Sequence, residues 1–276
     1  MDKIFHHVSF DTSRLITKTY STSFSIGVRC LHPSIRNAIY SIYGFVRLAD
    51  EIVDSFHDYD KEQLLEQLED EYYQALQRGI SLNPIINAFC RTVHTYQIED
   101  HLIQAFLKSM KEDLKPQSFG EKEIDTYIYG SAEVVGLMCL TVFVSGDKKE
   151  YTKLEMPARR LGAAFQKVNF LRDLNHDTLH LQRAYFPVLQ TETLNETNKK
   201  EILNGIYEDY EVALCGIRQL PDCARLGVYT AYLYYLSLAK RIEETPAGEL
   251  MQKRIRITNK EKMYLFGKAY LTTKII

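Results

Sequence analysis

The sequence predicts an all-α protein, an antiparallel helical bundle folded as a single domain over residues 1–276. Three observations carry this prediction. Apolar residues recur at three, four or seven positions through nearly the whole chain, the spacing of one helix face. No run of alternating apolar and polar residues marks a set of strands, so the available layers are helix on helix. No internal repeat or low-complexity linker divides the chain, and 45% hydrophobic with 25% charged residues is enough for one ordinary core.

The first strong helix begins at His32-Pro33-Ser34, where proline fits the first turn, and carries the stripe Ile35, Ile39, Ile42, Val46 and Val53. Similar patterns run over 61–77, 84–96, 100–111, 124–143, 151–177, 199–220 and 224–243, separated by short Gly, Pro or Asn breaks. The longest uncharged apolar stretch, 134–146, falls short of the roughly 20 residues that span a bilayer and reads as a buried core helix. Five cysteines, Cys30, Cys90, Cys139, Cys215 and Cys223, form no C-x-x-C pair, which predicts reduced, mostly buried thiols. The start Met1-Asp2-Lys3-Ile4-Phe5 lacks the basic-then-apolar pattern of a secretory leader, so a cytoplasmic protein is expected. A formal net charge of -2 and a pI near 6.5 give no reason to expect a nucleic-acid partner.

Two segments carry candidate chemistry. In Arg47-Leu48-Ala49-Asp50-Glu51-Ile52-Val53-Asp54, the two aspartates are four residues apart, neighbours about 5 to 6 Å apart on one helix face. Asp50 adjoins the Ile39/Val46/Val53 stripe and Asp54 sits at its edge. Carboxylates so close to a buried stripe are costly unless a cation or hydrogen bonds compensate them. Taken alone, the pair reads first as a solvated face with Asp50 bound to Arg47. The segment 166–177 changes that balance, because Gln166, Asn169, Asp173 and Asp177 step by three, four and four along one narrow stripe of about 80°. Two such helices with axes about 8 to 10 Å apart would enclose an acidic pocket. Hard oxygen ligands suit Mg²⁺, which is commonly held by one or two carboxylates plus substrate phosphates, and the implied chemistry is departure of a diphosphate.

Tyr20-Ser21-Thr22-Ser23-Phe24, the block 40–54, Gly162-Ala163-Ala164-Phe165-Gln166-Lys167-Val168-Asn169-Phe170-Leu171-Arg172-Asp173 and Arg183-Ala184-Tyr185-Phe186-Pro187 resemble, in this order, the motifs of the squalene/phytoene synthase family. The resemblance covers most of the chain and implies the isoprenoid synthase type of bundle with a central active-site cavity. It implies that Asp50, Asp54, Asp173 and Asp177, with Asn169, hold Mg²⁺, for which Mn²⁺ could substitute. Gln166, Arg47 and Arg172 would contact diphosphate, Ser21, Ser23 and Phe24 would belong to a substrate-contacting flap, and Arg183 and Tyr185 would complete substrate binding. Tyr129 resembles an active-site tyrosine of the family, although by itself it is one of 19 tyrosines and reads as core.

The implied reaction joins two geranylgeranyl diphosphates head to head through a cyclopropylcarbinyl diphosphate to phytoene, a step of carotenoid biosynthesis. NADPH is not expected, since no G-x-G-x-x-G fingerprint is present. A squalene or dehydrosqualene synthase using farnesyl diphosphate is the near alternative, and a noncatalytic helical lipid-binding or scaffold protein the remote one. The chain departs from the family's Asp-x-x-Glu-Asp pattern at Asn175-His176-Asp177, where His176 reads as a surface residue. Glu133, the one charge in an apolar helix, reads as a paired core charge rather than a base. Between 251 and 276, seven basic residues stand against Glu261 alone; this reads as a solvated basic tail, or as peripheral contact with anionic lipid.

Overall fold

The computed structural model describes residues 2–115, 120–179 and 185–274, excepting the side chains of residues 2, 121, 176–179, 190 and 191. Among the described residues all regular structure is helical. The order is α1 (Asp2–Tyr20), α2 (Thr22–Arg29), α3 (Pro33–Ser55), α4 (Lys61–Arg78), α5 (Pro84–Tyr96), α6 (Asp100–Glu112), α7 (Glu121–Ile128), a π-helical turn (Tyr129–Glu133), α8 (Val134–Phe143), α9 (Lys148–Leu179), α10 (Val188–Thr191), α11 (Glu196–Ile217), α12 (Asp222–Glu244), α13 (Ala247–Leu250) and α14 (Asn259–Thr273).

Local chemistry sets most of these boundaries. Ser21, Asp60, Asn83, Asn195 and Thr258 each cap the helix that follows them by accepting a backbone N–H. Pro33 and Pro84 open α3 and α5, where a missing N–H is harmless. Gly79 ends α4 in the left-handed conformation, φ 78°, which glycine adopts without strain.

The structure adds helices that apolar spacing did not predict, α1, α2 and α14 the longest among them. The buried face of α1 is made of hydroxyls: Ser9, Ser13 and Thr17 are fully buried, each donating back to the carbonyl four residues earlier. These small side chains allow α3 to approach at Gly44, where any side chain would crowd Ser13. A hydrophobicity pattern registers none of this.

α9 runs through the middle of the bundle for 32 residues. It packs along α11, fastened by the buried carboxylate of Asp209, which accepts from Lys167 at 2.8 Å and Arg160 at 3.1 Å. On its other flank lie the π-helical turn and α8. Gly162 is what permits that approach, since a Cβ there would lie 2.8 Å from the Ala132 carbonyl oxygen. The helical run Lys122–Phe143 is long and apolar enough to cross a membrane by length and composition, but 56% of its most apolar 18-residue window is buried inside the bundle. One buried cluster, with Phe45 stacked on Phe89 at 4.2 Å near its centre, extends from α2 to α14.

Two expectations are corrected. The basic C-terminal segment is not a solvated tail: α14 packs on α12 and buries Lys262, Leu265 and Ala269. The cysteines are all free, as expected, but only Cys90 is buried; three are half-buried and Cys215 is exposed.

Candidate active site

α3 and α9 present their polar stripes to one basin. Arg47, Asp50 and Asp54 come from α3, and Gln166, Asn169, Arg172 and Asp173 from α9. Residues three and four apart on a helix share a face, so each stripe follows from its own sequence; that the stripes confront one another is decided by packing. The basin, about 770 Å³, is also lined by Ser21, Phe24, Tyr43, Ser131, Tyr185, Tyr235 and Arg254.

Through Phe24, Tyr43, Val46, Ser131, Gln166, Asn169 and Tyr235 the basin continues into an apolar cavity of about 290 Å³. Among the described residues, no charged side chain lines that inner chamber. Its wall on α9 runs from Asn169 back to Leu154, about 22 Å at the helical rise of 1.5 Å per residue. Aromatic faces guard the junction: Phe24 stacks on Tyr43 at 4.8 Å and Phe165 on Tyr235 at 4.0 Å. Burial pushes the Tyr43 phenol up to about 12, so it stays protonated across the physiological range.

Two aspartates of the basin, Asp50 and Asp173, are held by arginines. Arg47 donates to Asp50 at 2.5 Å and also pairs with Glu51, while its guanidinium lies 4.3 Å from the Tyr20 ring centre. Asp173 accepts from Arg172 at 2.5 Å and from Arg254 at 2.6 Å. Burial by itself would lower the pKa values of Arg47 and Arg172, but their carboxylate partners outweigh it and hold both above the ordinary value.

Asn169 Oδ1, Arg47 Nε and Ser131 Oγ are buried without a hydrogen-bond partner. All three residues line the basin. Leaving a buried polar group unpaired costs roughly 1 to 3 kcal/mol, so the arrangement is built for something that fills it. An unpaired acidic-site carbonyl oxygen beside Asp50, Asp54 and Asp173 is an all-oxygen donor set that fits a hard divalent cation, and the unpaired guanidinium N–H fits an anion's oxygen. Among the described residues, no three His, Cys, Asp or Glu side chains are gathered closely enough to hold a metal ion by themselves. An ion here would draw on substrate phosphate oxygens as well.

The remaining expected residues divide. Ser21 lines the basin and caps α2 by accepting from the Phe24 N–H, and Tyr185 stacks on Phe170 at 3.9 Å in the basin wall. Ser23 is half-buried on α2 and lines neither chamber. Tyr129 also lines neither: it belongs to the π-helical turn and its ring lies under Arg159, 5.0 Å from the guanidinium. Tyr127, one helical face away, lines the basin instead and donates to Asp113 at 2.9 Å. Glu133 accepts from Arg159 at 2.6 Å, the paired charge expected of it. Asp177 lies on the last turns of α9 with its side chain, like that of His176, outside the described residues; Arg183 lies outside them altogether.

Three of the lining residues that sequence reasoning missed are instructive. Tyr43 could have been found, standing one turn before Arg47 on the same face. Tyr235 stands in a tyrosine-rich helix with Tyr229, Tyr232 and Tyr234, where spacing does not separate a lining residue from a core one. Arg254 carries no local signal, because its partner Asp173 is 81 residues away.

Comparison with known proteins gives a consistent result. The family model described as squalene/phytoene synthase matches residues 17–261. A phytoene synthase of Arthrospira platensis is 25% identical, with 97% of this chain and 94% of that protein covered. A presqualene diphosphate synthase of Zymomonas mobilis is 30% identical over 91% of this chain and 81% of that protein. Among solved structures, a dehydrosqualene synthase in complex with ligand superposes with a TM-score of 0.82 at 19% identity, covering 98% of both chains. A squalene synthase of Alicyclobacillus acidocaldarius does so with a TM-score of 0.74 at 17% identity, covering 87% of this chain and 95% of that one. At these identities the structural likeness speaks for the fold.

Proposed function

This chain belongs to the squalene/phytoene synthase family, and we propose that it joins two geranylgeranyl diphosphates head to head to give phytoene. The family's enzymes are prenyltransferases that act on prenyl diphosphates and depend on divalent metal. The observation that carries the finer reading is the pairing of an ionic basin with a long, uncharged inner chamber. A geranylgeranyl chain has a sixteen-carbon backbone, about 19 Å when extended at carbon–carbon bonds of about 1.5 Å, and a farnesyl chain is about 14 Å. The 22 Å run of α9 along this wall exceeds both chains, and its excess over the shorter one supports the longer.

In the first half-reaction the C1–O bond of one substrate breaks and the diphosphate leaves with the electron pair. The allylic cation adds to a double bond of the second substrate, and loss of a proton closes a cyclopropane. The second half-reaction expels the remaining diphosphate, and the rearranged cation loses a proton to leave a hydrocarbon. A divalent ion, Mg²⁺ in this reading, would be held by Asp50, Asp54, Asn169 and Asp173, with Asp177 as a further ligand, and would neutralise charge on the departing diphosphate.

The chain's own side chains do the rest. Arg47, Arg172 and Arg254 bind phosphate oxygens, exchanging carboxylate partners for them, and such preoriented donors stabilise charge as it develops on the leaving group. Gln166 and Ser21 orient the head group at the junction of the chambers. The faces of Phe165, Tyr235, Phe24 and Tyr43 offer π density to the cation, and the apolar walls deny it water. Because substrates and product are lipids, contact with a membrane belongs to this reading, and the basic C-terminal segment is where it would fall.

The test is a reaction with Mg²⁺ and either geranylgeranyl or farnesyl diphosphate, with and without NADPH, followed by mass analysis of the extract and an Asp173→Asn control. A forty-carbon hydrocarbon formed without NADPH is expected. A thirty-carbon product would move the assignment to the shorter substrate, and release of diphosphate from neither would sink the enzymatic reading.

A further inference from the structure

α14 has two apolar faces, and among the described residues only one of them is packed. At about 100° per residue, the buried positions Lys262, Leu265 and Ala269 share the side against α12. On the opposite side, Met263, Tyr264, Tyr270 and Leu271 fall within one stripe and are 65%, 71%, 44% and 66% exposed. A surface helix of a soluble protein normally turns polar residues outward, so this stripe is unaccounted for by the fold.

The border of the stripe is cationic. Lys260 and Lys274 lie along it, Lys268 at its edge, and all three are exposed, as is Arg256 just before the helix. The single acidic residue of α14, Glu261, is turned inward to Ser237 and Arg241 on α12. An outward face of apolar and aromatic residues rimmed by lysines, with the acid drawn away, complements the headgroup region of an anionic bilayer.

The location of this face also matters. Lys262 donates to Thr22 at 3.1 Å, next to Ser21 on the basin's edge, and the segment leading into α14 places Arg254 on Asp173 in the basin. α14 therefore lies beside the basin, reached through Thr22 and through the segment that carries Arg254.

We propose that the outer face of α14 docks the protein on an anionic lipid surface and so holds the basin at the lipid–water interface. The docking chemistry stands on the stripe alone; its purpose, passing prenyl substrates in and hydrocarbon out, rests on the proposed function.

The experiment is co-sedimentation of the full chain with vesicles of phosphatidylcholine containing phosphatidylglycerol, compared with phosphatidylcholine alone, at low and high salt. Wild type should bind the anionic vesicles and release in high salt, as surface charge is screened. Met263→Glu combined with Leu271→Glu should lower binding by about tenfold or more, as should Lys260→Ser, Lys268→Ser and Lys274→Ser together. Both variants should keep wild-type helicity by circular dichroism and release diphosphate from detergent-dispersed geranylgeranyl diphosphate within about twofold of wild type. If the glutamate variant loses helicity, the serine variant decides. Unchanged vesicle binding by the folded variants would overturn the proposal. So would a wild-type dimer that the variants convert to monomer without any vesicle binding, since the stripe would then be covered by a second copy. Intact vesicle binding with no diphosphate release by wild type would uphold the docking face and remove the prenyl reading.

Discussion

The two chambers of the cavity are built on opposite terms. The inner chamber is made of residues that also form the core, including Val28, Ile39, Ile42 and Leu140, so its walls stabilise the fold. The basin holds three arginines against four aspartates and leaves Asn169 Oδ1 and Arg47 Nε unpaired, so its residues contribute little to stability and some oppose it. Chemistry should therefore be separable from stability in the basin and inseparable from it in the inner chamber.

The strongest test of that contrast is Asp173→Asn. Activity should fall on the order of 10³-fold, as happens when a charge-stabilising group is removed, while the thermal midpoint changes by the equivalent of about 1 kcal/mol or less. A large drop in Tm would make Asp173 a structural residue and erase the distinction. Next comes Arg254→Gln, for which kcat/KM should drop by about 10 to 100-fold with the midpoint again nearly unmoved. Glu51→Gln, which touches Arg47 but does not line the basin, should cost no more than about threefold, and a larger loss would extend the site.

On the other side of the comparison, Gly162→Val should destabilise the fold by about 1 to 3 kcal/mol in denaturant titration, because the new side chain meets the Ala132 carbonyl and the backbone of Glu133. Activity per folded molecule should fall less than in the basin variants.

The smallest effect is one of pH. Burial raises the thiol of Cys139, in the inner chamber, and that of Cys90, in the core, from 9.0 to about 12. Between those values the folded protein binds more protons than the unfolded chain, so stability is complete below pH 9 and declines above it. Tm should be level from pH 7 to about 9 and fall as pH rises further, and replacing both cysteines with alanine should flatten that fall. A maleimide at pH 8 should label the exposed Cys215 well before either.

Legibility in the sequence followed the range of the interactions. The extents of α3, α5 and α9 were readable because periodicity, proline and cap residues act within a few positions. Arg47, Asp50, Asn169 and Asp173 were readable for the same reason, as i, i+3 and i+4 neighbours. α1 was not, because it packs through serine and threonine hydroxyls bonded to their own helix. Tyr129 and Tyr127 could not be told apart either, since the π-helical turn between α7 and α8 rotates the face that follows and such turns have no simple periodic signature.

By itself the sequence determined that the chain is helical, where most helices begin, and that two of them carry acidic polar stripes, because backbone geometry converts local spacing into a common face. Only the tertiary structure decided that those stripes confront each other, that a chamber free of charge opens behind them, that Arg254 returns to Asp173 from far along the chain, and that α14 is left with an apolar face outward. These depend on how helices distant in sequence settle against one another, and that is fixed by the packing of the whole core and not by any one segment.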